Sequence, residues 1–340
     1  MVSVPLKADT DVKRTDIIVM VWAPEENRTA TYARLLNAPV FYIHYLLYKR
    51  PYVAPFKYVA QALKTWLVLI QQRPKVVYVT NPPVFAPLCV FLYCKLTGTH
   101  YIMDTHSPAL FSRRWGWTLP LQRFLAKHAM VNLVDQLRFK QLFESWGAKA
   151  IILEKPPKNI NDKTFKNIST SNKFDIAVIN TFAVDEPVDI ILEAARQLPE
   201  AHFYIMGDKK LAKPDDLNNA PENVTFTDYL LGEDYWNRVY SSRALMALTT
   251  YPYSLLAGAQ DGATLGKPLL LSKQPALEDY FPKGAIFMEN TAEGLVSGVK
   301  ALMAREAELG KDITEMVEIQ AKAWEQNFDT LVNMIEAVNS

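Results

Sequence analysis

Residues 251–271, YPYSLLAGAQDGATLGKPLLL, read as a loop, a short helix, a helix stop and a strand. Small residues dominate from Ala257 to Ala263, so the chain enters a helix at about Gly258 or Ala259. Unpaired backbone N–H groups there face outward as a site for an anion, and the lack of large side chains lets a pyrophosphate come close. Asp261, in the first turn, suits two hydrogen bonds from a ribose diol. Gly266 ends the helix, and Lys267-Pro268 leads into the apolar strand Leu269–Leu271. An ordinary helix with a glycine cap fits the same residues equally well.

Working outward, short β-branched runs alternate with longer amphipathic ones. Ile17–Trp22, Val40–Ile43, Val76–Thr80, Tyr101–Asp104, Met130–Val134 and Ala150–Leu153 read as strands, as do Ile176–Asn180, Phe203–Met206, Val224–Phe226, Ala244–Leu248, Leu269–Leu271 and Ala285–Phe287. Helices are expected between them, including 55–72, 83–96, 187–197 and 312–325. Strands this apolar are covered on both faces, and strand–helix alternation makes parallel sheets. The predicted fold class is α/β, with two Rossmann-like, doubly wound parallel-sheet domains facing a cleft. Glu154-Lys155-Pro156-Pro157-Lys158 and the polar run after it mark the boundary. The expected organisation is a first domain over 1–155, a linker over 156–173, a second domain over 174–318 and a terminal helix over 319–340. In such sheets ligands sit beyond the carboxyl ends of the strands, so functional loops are sought there.

The 340 residues are 49% hydrophobic and carry 37 basic against 36 acidic side chains, which excludes a disordered chain. The near-neutral total hides a split: residues 1–160 hold 21 basic and 9 acidic side chains, and the remainder 16 and 27. No acid lies between Glu26 and Asp104, where nine Lys or Arg occur. The first half is therefore expected to meet an anionic partner, whether nucleic acid, a membrane surface or a phosphate-bearing substrate. No apolar run approaches the roughly 20 residues of a membrane span. Cys89 and Cys94 form neither a C-x-x-C pair nor a disulfide framework. The histidines lack metal-ligand spacing, no P-loop or G-x-G-x-x-G occurs, and Asp9-Thr-Asp11 precedes the first strand as a solvated tail.

Residues 251–271 resemble the donor-binding segment of GT-B glycosyltransferases of the family 4 type, which carry E-x7-E ahead of A-x-G-x-P. Asp261 takes the second acidic position, and the first falls at Tyr253. Phe174–Gly207 resembles the opening β-α-β of the family's second domain, although its loop Thr181–Pro187 lacks the Arg and Lys that hold donor phosphates. Asn223–Leu230 is similar to the strand and turn that read the nucleotide base, and Gln320–Val338 to the helix that returns to the first domain. The resemblance implies a donor site of Thr181, Tyr229, Tyr253, Ser254, Gly258, Ala259, Gln260 and Asp261. In it the Gly258–Gln260 amides take the diphosphate, Asp261 the ribose and Tyr229 the base.

Tyr101-Ile-Met-Asp-Thr-His-Ser-Pro108 ends an apolar strand in a D-x-H cluster. Asp104 is a candidate general base toward an acceptor hydroxyl, and His106 a donor-sugar contact or proton partner. The cluster resembles one in β-mannosyltransferases that act on dolichyl-linked chitobiose. The competing reading has Asp104 capping the next helix and His106 exposed in a turn. Arg28, in the loop after the first strand, and Arg113 and Arg114 are candidate acceptor or phosphate contacts. The aromatic and basic residues of 41–66 and 111–117 suit a membrane interface.

The expected function is transfer of a sugar from a nucleotide-diphosphate sugar to a hydroxyl acceptor, with a lipid-linked or membrane-presented glycan favoured. The nucleotide sugar is a co-substrate, and no cofactor or metal is expected. The protein is expected in the cytoplasm, peripherally on the inner face of the membrane, with no nucleic-acid partner. Two rivals belong to other classes. The first is a non-catalytic binder of nucleotide sugars or glycans on the same frame, against which sugar transfer that vanishes in Asp104→Asn would count. A nucleic-acid binder using the basic half would show steep salt dependence.

Overall fold

The computed structural model describes residues 16–24, 26–45, 54–156, 165–168 and 171–339. Asp9 and Asp11, and the basic and aromatic residues of 46–53, lie outside them. The described strands form two six-stranded sheets in which every pairing is parallel. The chain divides into two compact units. Of the described residues, one holds those from Asp16 to Pro156 together with those from Lys322 onward, and the other holds those from Phe165 to Ala321.

The first unit's strands are β1 (Ile17–Val21), β2 (Val40–Tyr42), β3 (Val76–Asn81), β4 (His100–Thr105), β5 (Val131–Val134) and β6 (Ala150–Ile152), in the order β2-β1-β3-β4-β5-β6. Every residue of β1, β3 and β5 is buried, as central parallel strands require. Helices α1 (Asn27–Leu35), α2 (Ala54–Gln72), α3 (Phe85–Thr97), α5 (Leu119–His128) and α6 (Leu137–Ser145) supply the crossovers, with α4 (Ser107–Phe111) before α5. The final residues of the chain complete the core: Trp324, Leu331 and Ile335 pack with Tyr32, Leu36, Val19 and Tyr78. Trp324 Nε1 donates to the Tyr32 hydroxyl at 3.2 Å and to the Glu154 carbonyl at 3.1 Å.

The second unit has β7 (Phe174–Ile179), β8 (Ala201–Met206), β9 (Val224–Asp228), β10 (Ala244–Ala247), β11 (Leu269–Ser272) and β12 (Ala285–Met288), in the order β12-β11-β10-β7-β8-β9. The strand order reverses between β7 and β10 here and between β1 and β3 in the first unit. In open α/β sheets such a reversal opens the crevice that holds a ligand. Helices α7 (Val188–Ala195), α8 (Pro214–Asn218), α9 (Gly232–Ser241), α10 (Ala257–Thr264), α11 (Pro275–Tyr280) and α12 (Ala292–Ala304) follow, and α13 (Glu306–Asn339) begins in this unit and from Lys322 belongs to the first. Of the segment expected as a linker, Lys166 and Ile168 are bound to α9, their amides donating to Asn237 at 2.8 Å and Ser241 at 2.9 Å.

All twelve expected strands are present. Three short helices, α4, α8 and α11, were not expected, because five or six residues are too few to show a helical period. Each carries a proline in its first turn, which was the available signal. Helix α13 takes the helix expected over 312–325 and the terminal helix expected over 319–340 as one continuous element.

Candidate functional site

In the first unit a buried charge network lies at the carboxyl ends of β1, β4 and β5. Glu26 caps α1, its carboxylate accepting from the Arg28 and Thr29 amides. Arg28 is turned inward and buried; its Nη2 is 2.7 Å from Asp104 Oδ1 and donates to the Leu153 carbonyl at 2.7 Å. The Tyr78 hydroxyl, from within β3, donates to Asp104 Oδ2 at 2.7 Å. His106 Nε2 stands 3.4 Å from that same oxygen. Asp135, the residue after β5, interacts electrostatically with Arg28, His106 and Asp104, and its Oδ1 is buried with no hydrogen-bond partner.

The pKa shifts follow from this packing. Burial would raise the Asp104 pKa, but Arg28, His106 and Tyr78 outweigh it and hold the carboxyl below its ordinary value. Burial also disfavours a charged His106, yet Asp104 prevails and lifts the imidazole above its usual range. Burial pushes Asp135 up, and Arg28 and His106 only partly oppose it. Burial alone raises the thiols, Cys89 to about 11 and Cys94 mainly so to about 12, which leaves them poor nucleophiles.

Two expected roles change on this geometry. Arg28, read as a phosphate contact, is committed to Asp104 and a backbone carbonyl. Asp104, read as the general base, is fully buried with both oxygens engaged, so it is not presented to an acceptor hydroxyl. The competing reading changes too, since the residue that caps α4 is His106, not Asp104. His106, with a quarter of its side chain exposed, is more open than Asp104 and Arg28. With its Nε2 toward Asp104, the imidazole has Nδ1 left to accept a proton. Arg113 and Arg114 are exposed in the turn after α4, Arg114 lying 5.4 Å over the Trp115 ring, and they do not join the network.

In the second unit the expected donor residues lie on the segments that follow β7, β9 and β10 and in α10. Helix α10 begins at Ala257, so its free first-turn N–H groups are those of Ala257, Gly258 and Ala259. The Gln260 amide is already spent on the Leu256 carbonyl at 3.2 Å, against its expected role at a diphosphate. Asp261 falls in the second turn, not the first. It is buried, and its Oδ2 accepts from the Tyr235 hydroxyl at 2.8 Å. Tyr229, exposed just beyond β9, is close enough to Tyr235 to interact with it electrostatically. Tyr253 and Ser254 are half-buried in the loop before α10. Thr181 is turned onto Glu186, its hydroxyl donating at 3.0 Å and its amide at 2.5 Å, which leaves neither group for a donor.

The glycines of α10 have a packing role that the phosphate reading missed. A Cβ on Gly258 would sit 2.6 Å from the Ile179 Cβ, and one on Gly262 would sit 2.9 Å from the Leu245 side chain. Alanine is the better helix former by about 1 kcal/mol. Gly258→Ala is nevertheless expected to destabilise the protein by about 1–3 kcal/mol through overpacking against β7. Urea denaturation is the check, and a stabilised variant would refute this close contact.

Asp135 could have been found by the rule that found Asp104, an acid closing an apolar strand. Tyr78 and Tyr235 lie inside a strand and a helix, where nothing in the sequence separates them from core aromatics.

No protein-family model matches this chain, and no curated protein matches it by sequence. Solved structures do match. Sucrose-phosphate synthase from Thermosynechococcus elongatus superposes with a TM-score of 0.69 at 12% identity, covering 95% of this chain and 99% of that one. HepE from Anabaena, in complex with UDP and glucose, gives 0.66 at 12% identity, covering 93% and 99%. A glycosyltransferase from Rickettsia africae gives 0.64 at 12% identity, covering 95% and 98%. The likeness is one of fold: the chain has the GT-B fold, with two Rossmann-like α/β units.

Proposed function

We propose that the protein is a glycosyltransferase that moves a sugar from a nucleotide-diphosphate sugar to a hydroxyl of a lipid-linked or membrane-presented glycan. The observation that carries the proposal is the Arg28–Asp104–His106 network, at the carboxyl ends of the strands in a unit of GT-B fold. The HepE structures, which hold UDP, UDP-glucose, or UDP with glucose, support a nucleotide-sugar donor for a chain of this fold.

In this reading the second unit binds the donor. The first-turn amides of α10 offset charge on the diphosphate, and Tyr229 stacks on the base. As the acceptor oxygen bonds to the anomeric carbon, the bond to the diphosphate breaks and its charge is met by those amides. His106 takes the hydroxyl proton. Asp104 acts through His106 as a positioning residue, fixing its tautomer and raising its basicity. Helix-terminal amides suffice for the leaving group, so the proposal needs no cofactor. The protein would work at the cytoplasmic face of a membrane.

The test is a thermal-shift screen of UDP, GDP, dTDP and ADP and their sugar conjugates, with Gly258→Ala alongside wild type. A ligand at about 100 times its dissociation constant adds roughly 2.7 kcal/mol. One nucleotide is expected to stabilise wild type, and to stabilise Gly258→Ala less because the α10 amides have moved. Absence of any shift across the panel would overturn the donor site.

A further inference from the structure

Helix α2 carries Phe56, Val59, Leu63, Leu67 and Ile70 at intervals of three and four, which is one helical face. All five are more than half exposed, from 53% at Ile70 to 80% at Phe56. The opposite face, with Gln61, Thr65, Val68 and Leu69, is buried. Helix α3 packs beside α2 and exposes Leu92 and Leu96, and Trp117 is exposed beyond α4. A contiguous apolar stripe of this length is unusual on a surface that faces only water.

Charge identifies what covers it. From residue 27 to 134 the sequence holds thirteen Lys and Arg and one acid, Asp104. That acid and Arg28 are buried against each other, so neither charges this surface, and the other twelve cations of the stretch meet no acid within it. Lys57 and Lys64 stand on α2 itself, and Arg114 is near enough to Lys57 to repel it. Ile70 also lines a shallow hollow with Arg73, Lys75, Thr99 and His100, where Lys75 is shared with Asp16 at 3.3 Å. A second copy of the chain would bring two cationic faces together, which disfavours self-association here. No helix among the described residues is long and apolar enough to cross a membrane.

We infer that this face docks on an anionic lipid bilayer, with α2 lying in the interface plane and its apolar stripe inserted among the headgroups. Apolar side chains flanked by Lys and Arg are the composition of such helices. Each cation near an anionic surface contributes about a fivefold gain in partitioning. Helix α2 links β2 to the parallel β3, so its Phe56 end lies at the carboxyl edge of the sheet, as His106 does. Docking there brings the bilayer to the end of the unit that holds the proposed acceptor site. The purpose of docking rests on that proposed function, but the docking itself is read without any nucleotide sugar, so the two fail separately.

The experiment is vesicle flotation of the whole protein on phosphatidylcholine vesicles with and without phosphatidylglycerol. The expected result is at least tenfold stronger partitioning onto the anionic vesicles. Leu63→Gln with Leu67→Gln should lower it about tenfold or more, and Lys57→Gln with Lys64→Gln should lower it on anionic vesicles only. Both pairs are surface changes, and unaltered circular dichroism confirms the fold. Wild type that stays unbound, or a Leu pair that floats like wild type, overturns the inference. So does a concentration-dependent dimer that the Leu pair dissolves, which would give the stripe to a second copy.

Discussion

Asp104→Asn is expected to cost about 3–5 kcal/mol of stability, because it leaves the Arg28 guanidinium buried without its counter-charge. The comparison that isolates the cause is the double variant Arg28→Met with Asp104→Leu. Removing both charges replaces a buried pair by apolar groups, which is often neutral, so most of the loss should return. Urea denaturation followed by circular dichroism measures both. A single variant within about 1 kcal/mol of wild type would mean that water reaches the pair and that the network does not organise this end of the sheet. The pH dependence carries a second signature. Asp104 has a lowered folded pKa, so its contribution is complete above the unfolded value near 3.9 and is lost as pH falls through the lower folded value. His106 has a raised folded pKa, so its contribution is complete below about 6.5 and is lost as pH rises through the higher folded value.

The strands were legible because parallel strands covered on both faces are almost wholly apolar, as in IIVMV of β1 and VVYVTN of β3. Their alternation with helices left a doubly wound fold as the natural solution. The site was legible only in part. Asp104 and His106 could be found as polar residues closing an apolar strand, but the partner that decides Asp104's role, Arg28, is on another element and is joined to it only by folding. The small residues of α10 were read as room for a phosphate, and Gly258 and Gly262 also meet a need that the sequence does not show, because β7 and β10 press against them. Small residues that admit a ligand and small residues that admit a strand look alike in one dimension. Helix α2 hid its outward stripe for a related reason. Its buried side sets the polar Gln61 and Thr65 beside Val68 and Leu69 while its exposed stripe is wholly apolar, so periodicity shows a helix and points to the wrong face as the one that meets the core.

His106→Gln is expected to lower sugar transfer by about 10²–10⁴-fold if the imidazole is the proton acceptor, with little change in nucleotide affinity. Glutamine keeps much of the side chain's bulk and polarity but cannot take the proton. Its effect should therefore fall on kcat, not on the donor's thermal shift. The pH profile separates catalysis from positioning. Transfer by wild type should rise with pH through the His106 pKa, which Asp104 holds above the usual 6.5, and the Gln variant should lack that limb. In Asp104→Asn, at temperatures where it remains folded, the carboxylate that raises the imidazole is gone, so the limb should move to lower pH while the maximum rate falls. An Asp104→Asn profile that keeps its limb in place would assign the titration to another group, and Asp135, unpartnered at Oδ1 beside His106, is the first to examine. If His106→Gln transfers sugar at the wild-type rate, the D-x-H cluster is architecture alone, and the base must come from outside it.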